Sequence, residues 1–136
     1  MAARLRLEIV TPEETAYSED VEMVTLTGAD GELGVYPNHV PLLTTLRPGE
    51  LRVLKGGRES FFAVGEGFVE VRADGVSVLT DVALQASNID ESAAEAAVAR
   101  AQAAMKEDHG AEEIAAIQGT MQKALAQLHV KRRRHS

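Results

Sequence analysis

Near residue 88 the chain exchanges one periodicity for another, and few folds accommodate both. Before that point apolar and polar residues alternate. Leu5, Leu7 and Ile9 are in phase, as are Leu51 and Val53. Phe61-Phe62-Ala63-Val64, Phe68-Val69-Glu70-Val71 and Val76-Ser77-Val78-Leu79 are short β-rich runs. Turn signals interrupt them at Lys55-Gly56-Gly57-Arg58, Gly65-Glu66-Gly67 and Ala73-Asp74-Gly75, and Asp-Gly supplies the positive-φ positions of a tight hairpin. All four prolines and nine of the 11 glycines fall in this part. Many short strands at such spacing predict an antiparallel β-sandwich, or flattened barrel, over residues 1–87.

Beyond residue 88 alanine dominates and the period becomes helical. Asn88, Asp90 and Ser92 are each suited to cap a first helix; Asn88 with Glu91, and Ser92 with Glu95, have capping-box spacing. Ala94, Ala97, Val98, Ala101, Ala104 and Met105 form a small-residue stripe, and Gly110 suits a left-handed helix end. A second helix presents Ile114, Ile117, Met121, Leu125 and Leu128 at steps of three and four. Residues 88–136 therefore read as a two-helix antiparallel hairpin, giving an α+β chain. Alanine burial contributes little beside the ~1.5–3 kcal/mol of a buried Leu or Ile, so such a hairpin is marginal alone and needs a docking surface.

Composition narrows the classes of function. The chain has 136 residues, no cysteine and no tryptophan, which excludes disulfides and thiolate metal sites. No apolar run approaches the ~20 residues of a membrane span, and an alternating pattern begins at once, leaving no room for a signal peptide. The expectation is a soluble, cytoplasmic protein. The net charge of −7 resides entirely in residues 1–88, with 7 basic and 14 acidic side chains; residues 89–136 carry 7 of each. An acidic body ending in Lys131-Arg132-Arg133-Arg134 argues against nucleic acid and fits a tail that meets an acidic surface.

No catalytic constellation emerges. His39, His109, His129 and His135 are scattered without metal-ligand spacing. His39 reads as a loop residue bonding backbone, Ser60, Ser77 and Ser87 lack a nucleophile context, and Glu13-Glu14 and Glu19-Asp20 read as solvated pairs near strand ends. The expectation is a non-enzyme with no metal.

One segment is far denser in information. Gly28-Ala29-Asp30-Gly31-Glu32-Leu33-Gly34-Val35-Tyr36-Pro37-Asn38-His39-Val40-Pro41-Leu42-Leu43, followed by Leu46-Arg47-Pro48-Gly49, is a rigidly turned connection. It has the glycine spacing of a phosphate loop but lacks the Gly-Lys-Ser/Thr that follows one. It closely resembles the corresponding stretch of the epsilon subunits of bacterial F-type ATP synthases. Gly65-Glu66-Gly67-Phe68-Val69-Glu70-Val71 leading to Val76-Ser77-Val78-Leu79-Thr80-Asp81 resembles a second pattern of the same family, at the right distance. Taken alone, that second stretch reads as an ordinary hairpin. The absence of a transit peptide favours a bacterial source over the mitochondrial counterparts.

The resemblance implies a central-stalk subunit coupling the gamma subunit to the c ring of a proton- or sodium-translocating synthase. It also implies restraint of ATP hydrolysis by the hairpin and a peripheral place on the cytoplasmic face of the plasma membrane. By resemblance, Asp30, Gly31, Glu32 and Leu33 contact the c ring, and Leu42, Thr44 and Thr45 contact gamma. No cofactor is required. Ile89, Asp90 and Ala94 match a motif associated with ATP binding in this family, but Ala93 stands where the motif has arginine, which alone supplies a phosphate-binding fork. Asp90 then reads either as part of a degenerate ATP site or as a helix cap. A free-standing ATP-sensing module is the alternative reading of the whole chain. Lys123, Lys131, Arg132, Arg133 and Arg134 read either as a solvated helix end or as the inhibitory contact with beta in the alpha/beta hexamer. In the second reading Lys131–Arg134 serve only the extended hairpin.

Overall fold

The computed structural model describes residues 4–133. Ten strands come first: β1 (Leu5–Val10), β2 (Thr15–Val21), β3 (Met23–Gly28), β4 (Gly31–Val35), β5 (Leu42–Leu46), β6 (Gly49–Lys55), β7 (Arg58–Val64), β8 (Gly67–Val71), β9 (Gly75–Thr80) and β10 (Ala83–Gln85). A short 3₁₀ turn at Ala86–Asn88 leads to α1 (Glu91–Ala104) and α2 (Ala111–Arg133). The α+β architecture is the one the change of period implies.

The strands follow the order β10-β7-β6-β3-β5-β8-β9-β1-β2, with β4 paired to β3. Every pairing is antiparallel except β1 with β9, which run parallel with Leu7 opposite Val76 and Ile9 opposite Val78. Period-two alternation gives one continuous apolar face, and the sheet curls to bury it. Leu5, Leu7, Ile9, Val24, Leu26, Leu51, Val69, Val76 and Val78 are fully buried in a single core. The two ends of the path approach each other: the Tyr17 ring on β2 meets Phe62 on β7 edge-on, centroids 5.3 Å apart at 73°. Lys55 at the end of β6 also reaches Glu19 on β2. A nearly closed sandwich results.

Turn chemistry explains the tight corners. Gly56 (φ 59°) and Gly57 (φ 75°) supply both left-handed residues of the β6–β7 turn, so Lys55 and Arg58 pair directly. The Asp74-Gly75 corner, expected to need a left-handed residue, closes without one; Arg72 and Gly75 exchange backbone bonds of 2.8 and 3.4 Å. Gly67 is required for a different reason. A Cβ there would overlap the Leu79 carbonyl, because β8 and β9 close against each other at the Gly67–Thr80 pair.

In the hairpin, Asp90 is the residue that caps α1, its Oδ1 accepting from the Ala93 amide at 3.1 Å. The stripe on α1 faces inward as expected: Ala94 and Ala101 are buried, and Ala97, Val98, Ala104 and Met105 are half-buried. On α2 the expected seam holds for Ile114, Ile117, Met121 and Leu128, but Leu125 is 47% exposed. The sandwich draws the buried arc of α2 round to Ala126 and Val130, leaving Leu125 outside it. Val130 is fully buried among Ala63, Ala86 and Ile89, with Phe61 and Leu84 alongside.

Gly110 does not close α1 in a left-handed conformation. Instead α1 tightens into Lys106 and Glu107 amide bonds to Ala103 and Ala104, and the Gly110 carbonyl accepts from Ile114 to open α2. His109 completes the corner. Its Nε2 lies 2.6 Å from the Ala104 carbonyl and its Nδ1 lies 2.8 Å from Glu113. Glu107 stands 3.8 Å away. Both close partners accept, so the doubly protonated ring fits best. The Glu113 bond first, then the Ala104 carbonyl, raises the His109 pKa above its ordinary 6.5.

Two outcomes follow from these contacts. Gly67→Ala should destabilise the sandwich by about 1–3 kcal/mol, the usual cost of overpacking, read as a lowered denaturant midpoint. An unchanged midpoint would mean β8 and β9 separate easily. The raised pKa of His109 makes the α1–α2 corner strongest below the pKa of the unfolded ring, with that contribution lost as pH rises through the higher folded value. Hydrogen exchange of amides 105–113, corrected for intrinsic rates, should show opening that becomes easier on the alkaline side. Glu113→Gln should flatten that dependence, and a pH-independent parent would contradict the clamp.

Candidate interaction surfaces

The β3–β4 hairpin projects the first candidate surface. Gly28 pairs with Gly31, placing Ala29 and Asp30 at the tip, and Gly31 adopts φ 116° to close it. Asp30, Gly31 and Glu32 are exposed, and Glu32 lies 3.6 Å from Arg52. Leu33 differs: it is half-buried and packs on the core, anchoring the tip. In the following connection Asn38 holds φ 66° while its amide bonds the Ala73 carbonyl at 2.8 Å. His39 Nδ1 sits 2.6 Å from the Val40 carbonyl, a backbone contact of the kind its setting implies.

The register of β5, β8 and β9 defines a second surface. Leu42 and Thr44 stand opposite Val71 and Val69, both core residues, so these two candidates lie on the inward face, Leu42 being 39% exposed near the strand end. Thr45 stands opposite Phe68, which stands opposite Leu79, all on the outward face. Leu43 shares that face, opposite Glu70. Leu43 is 71% exposed, Phe68 57% and Leu79 51%, an apolar outward row that sequence reasoning missed. The signal was present: Phe68 is in phase with Glu70, and Leu79 with Ser77. The next register row, Gly28–Leu46–Gly67–Thr80, joins this apolar row to the base of the β3–β4 tip. The two surfaces are therefore neighbours.

At the junction of sandwich and hairpin, Ile89 and Ala94 are buried, Ala93 is exposed and Asp90 is engaged in capping. The basic residues of α2 converge on the same region. Lys123 bonds Asp81 and lies 3.8 Å from Glu66. Lys131 Nζ donates to the Ala86 carbonyl at 3.3 Å. Arg132 reaches Glu91 at 3.0 Å and Glu95 at 3.4 Å, and these acceptors, Glu91 foremost, hold the guanidinium still more firmly protonated. Arg133 Nε donates to Glu50 at 2.7 Å and its guanidinium lies 5.5 Å from the Phe61 ring centre. Arg132 and Arg133 are exposed at the helix end, yet both pair with acidic side chains distant in sequence in the folded hairpin. Arg134 lies outside the described residues. Among the described residues no group of three His, Asp or Glu side chains is placed to hold a metal, and no helix is long and apolar enough to cross a membrane.

Known proteins share this arrangement. Residues 4–86 match the family described as ATP synthase, Delta/Epsilon chain, beta-sandwich domain, and residues 87–132 match its long alpha-helix domain. A chain in the Euglena gracilis mitochondrial ATP synthase structure, comprising OSCP, F1 and c-ring in rotational state 1, superposes with TM-score 0.77 and 26% identity over 98% of this chain and 82% of that one. A chain in the Tetrahymena thermophila mitochondrial ATP synthase central stalk and c-ring structure shares the fold, with TM-score 0.54 and 16% identity over 62% of this chain and 69% of that one. Two family domains matched in sequence order across nearly the whole chain lead to one conclusion: the chain belongs to the delta/epsilon family of ATP synthase subunits.

Proposed function

We propose that this chain is a non-catalytic rotor subunit of the central stalk, joining gamma to the c ring through its sandwich and restraining ATP hydrolysis through its hairpin. The observation that carries this reading is the outward row of Leu43, Thr45, Phe68 and Leu79 beside the β3–β4 tip, in a chain of this family. Aromatic and aliphatic side chains left this exposed on a sheet face favour burial against a partner. An apolar face suits the gamma subunit, and the exposed tip at Asp30–Glu32 suits the polar loops of a c ring. The subunit is then held at the membrane only through the complex, whichever ion drives it.

The hairpin suits a two-state role because it leans on the sandwich through α2, chiefly against β6, β7 and the 3₁₀ turn, with Lys123 reaching Asp81. In the extended state its basic end would meet an acidic surface of the alpha/beta hexamer. No cofactor is needed for this. Asp90 is committed to its cap and Arg132 to Glu91 and Glu95, so a nucleotide at the junction would have to displace both arrangements.

The test is association with gamma. Phe68→Asp combined with Leu79→Asp should weaken gamma binding about 30-fold or more, the equivalent of losing one strong hot spot, while circular dichroism and thermal stability stay near the parent. Gamma affinity that survives the double change would remove the outward face of β8 and β9 from the interface.

A further inference from the structure

The cations at the end of α2 already have counter-charges within the chain, and one of these stands apart. The Glu50 side chain on β6 is only 11% exposed, whereas Glu91, Glu95, Asp81 and Glu66 are far more open to solvent. Two cations flank it, Arg133 at 2.7 Å and Arg52 at 3.7 Å on its own strand, and the His129 ring lies 3.8 Å away. Arg133 also lies against Phe61, so its guanidinium is held from two sides. Directly below, Val130 is seated in the Ala63–Ala86–Ile89 pocket.

We infer that Glu50 is the keystone of an in-chain latch: it holds the end of α2 on the sandwich by engaging Arg133, with Arg132 on Glu91 and Glu95 and Lys123 on Asp81 as lesser clasps. Exposed ion pairs count for little and are screened by salt. A carboxylate largely withdrawn from water is screened less, and its pairing with Arg133 ties two distant parts of the chain together. The latch has a consequence for regulation, which rests on the function proposed above. Any acidic surface that draws the hairpin away must compete with Glu50, Glu91 and Glu95 for the same arginines. Weakening Glu50 therefore makes the hairpin easier to extract and leaves the arginines for the acidic surface, whereas removing Arg133 loosens the hairpin but also takes away a cation that surface would bind.

Native-state hydrogen exchange on the isolated chain tests the latch. Glu50→Gln, which keeps shape and removes charge, should speed exchange of amides 124–131 about 5–30-fold while β1 and β9 keep the parent rates. Arg133→Gln should do the same, and Arg133→Lys, which keeps the charge but not the planar guanidinium over Phe61, should fall between the parent and Arg133→Gln. Raising salt to about 0.5 M should screen the exposed clasps and speed exchange by a similar factor in the parent and in Glu50→Gln, because the Glu50 pair is the less screened one. A short poly-glutamate peptide at low salt should also loosen α2, at lower concentration in Glu50→Gln than in the parent. Parent-like exchange of α2 in both Glu50→Gln and Arg133→Gln would overturn the latch, and so would an equal rise in β1 and β9. Failure of the peptide to loosen α2 in either protein would overturn the competition. Glu50 lies outside the β5–β8–β9 outward row, so gamma binding by Glu50→Gln reports on the rotor reading separately.

Discussion

The hairpin is attached to the sandwich at one end, and the character of the molecule follows from that. α1 offers mainly alanines to the larger side chains of α2, which permits close approach but removes little apolar surface of its own from water. The apolar anchor to the sandwich is Val130, fully buried among Ala63, Ala86 and Ile89. One buried valine contributes only about 1.5–3 kcal/mol. Ala126 is buried on the same arc, and polar contacts tie the helix further, notably Arg133 on Glu50 and Lys123 on Asp81. The sandwich, by contrast, closes on a continuous core contributed by β1 through β9. A body with a continuous core thus carries an appendage held by far fewer buried apolar residues.

Curling the sheet also settles which surfaces remain for partners. Alternation sends Val69, Val71, Val76 and Val78 inward, so whatever lies in phase with Glu70 and Ser77 must face out. Phe68 and Leu79 are apolar in the outward phase, which gives no benefit to folding and sets them apart from the core. The Gly28–Leu46–Gly67–Thr80 row then brings the base of the β3–β4 tip beside them. Close approach at Gly67 holds that row together, so a packing constraint inside the sandwich fixes the spacing of two outer surfaces.

Much of this was legible before any coordinates. The small-residue stripe from Ala94 to Met105 faces inward, and period-two alternation identifies core positions from Leu5 to Val78. The resemblance in residues 28–49 and 65–81 pointed to the family that the domain comparisons establish. The misses arise partly in tertiary contact and partly in local backbone geometry at the helix ends. Leu125 fits a helical seam, but docking of α2 on β6 and β7 displaces the buried arc. Gly110 looked like a helix terminator, yet His109 supplies the contacts to the Ala104 carbonyl and Glu113. Glu50 and Arg133 are 83 positions apart, a separation at which no periodicity links two charges. Asp90, Asn88 and Ser92 were equivalent as caps until backbone geometry placed the Asp90 carboxylate over the Ala93 amide.

Release of the hairpin is the central claim, and a distance measures it most directly. The chain has no cysteine, so spin labels at Glu112→Cys and Glu59→Cys report the separation of the hairpin's free end from the β6–β7 turn without background. Both positions are exposed. Pulsed dipolar spectroscopy on the isolated chain should give one dominant distance, matching the docked hairpin. In the assembled synthase a second, longer distance should appear, and its share should grow with Glu50→Gln, which loosens the docked state and leaves the basic tail intact. A single distance, the same in the isolated chain and in the assembled enzyme under every nucleotide condition, would contradict a releasable hairpin.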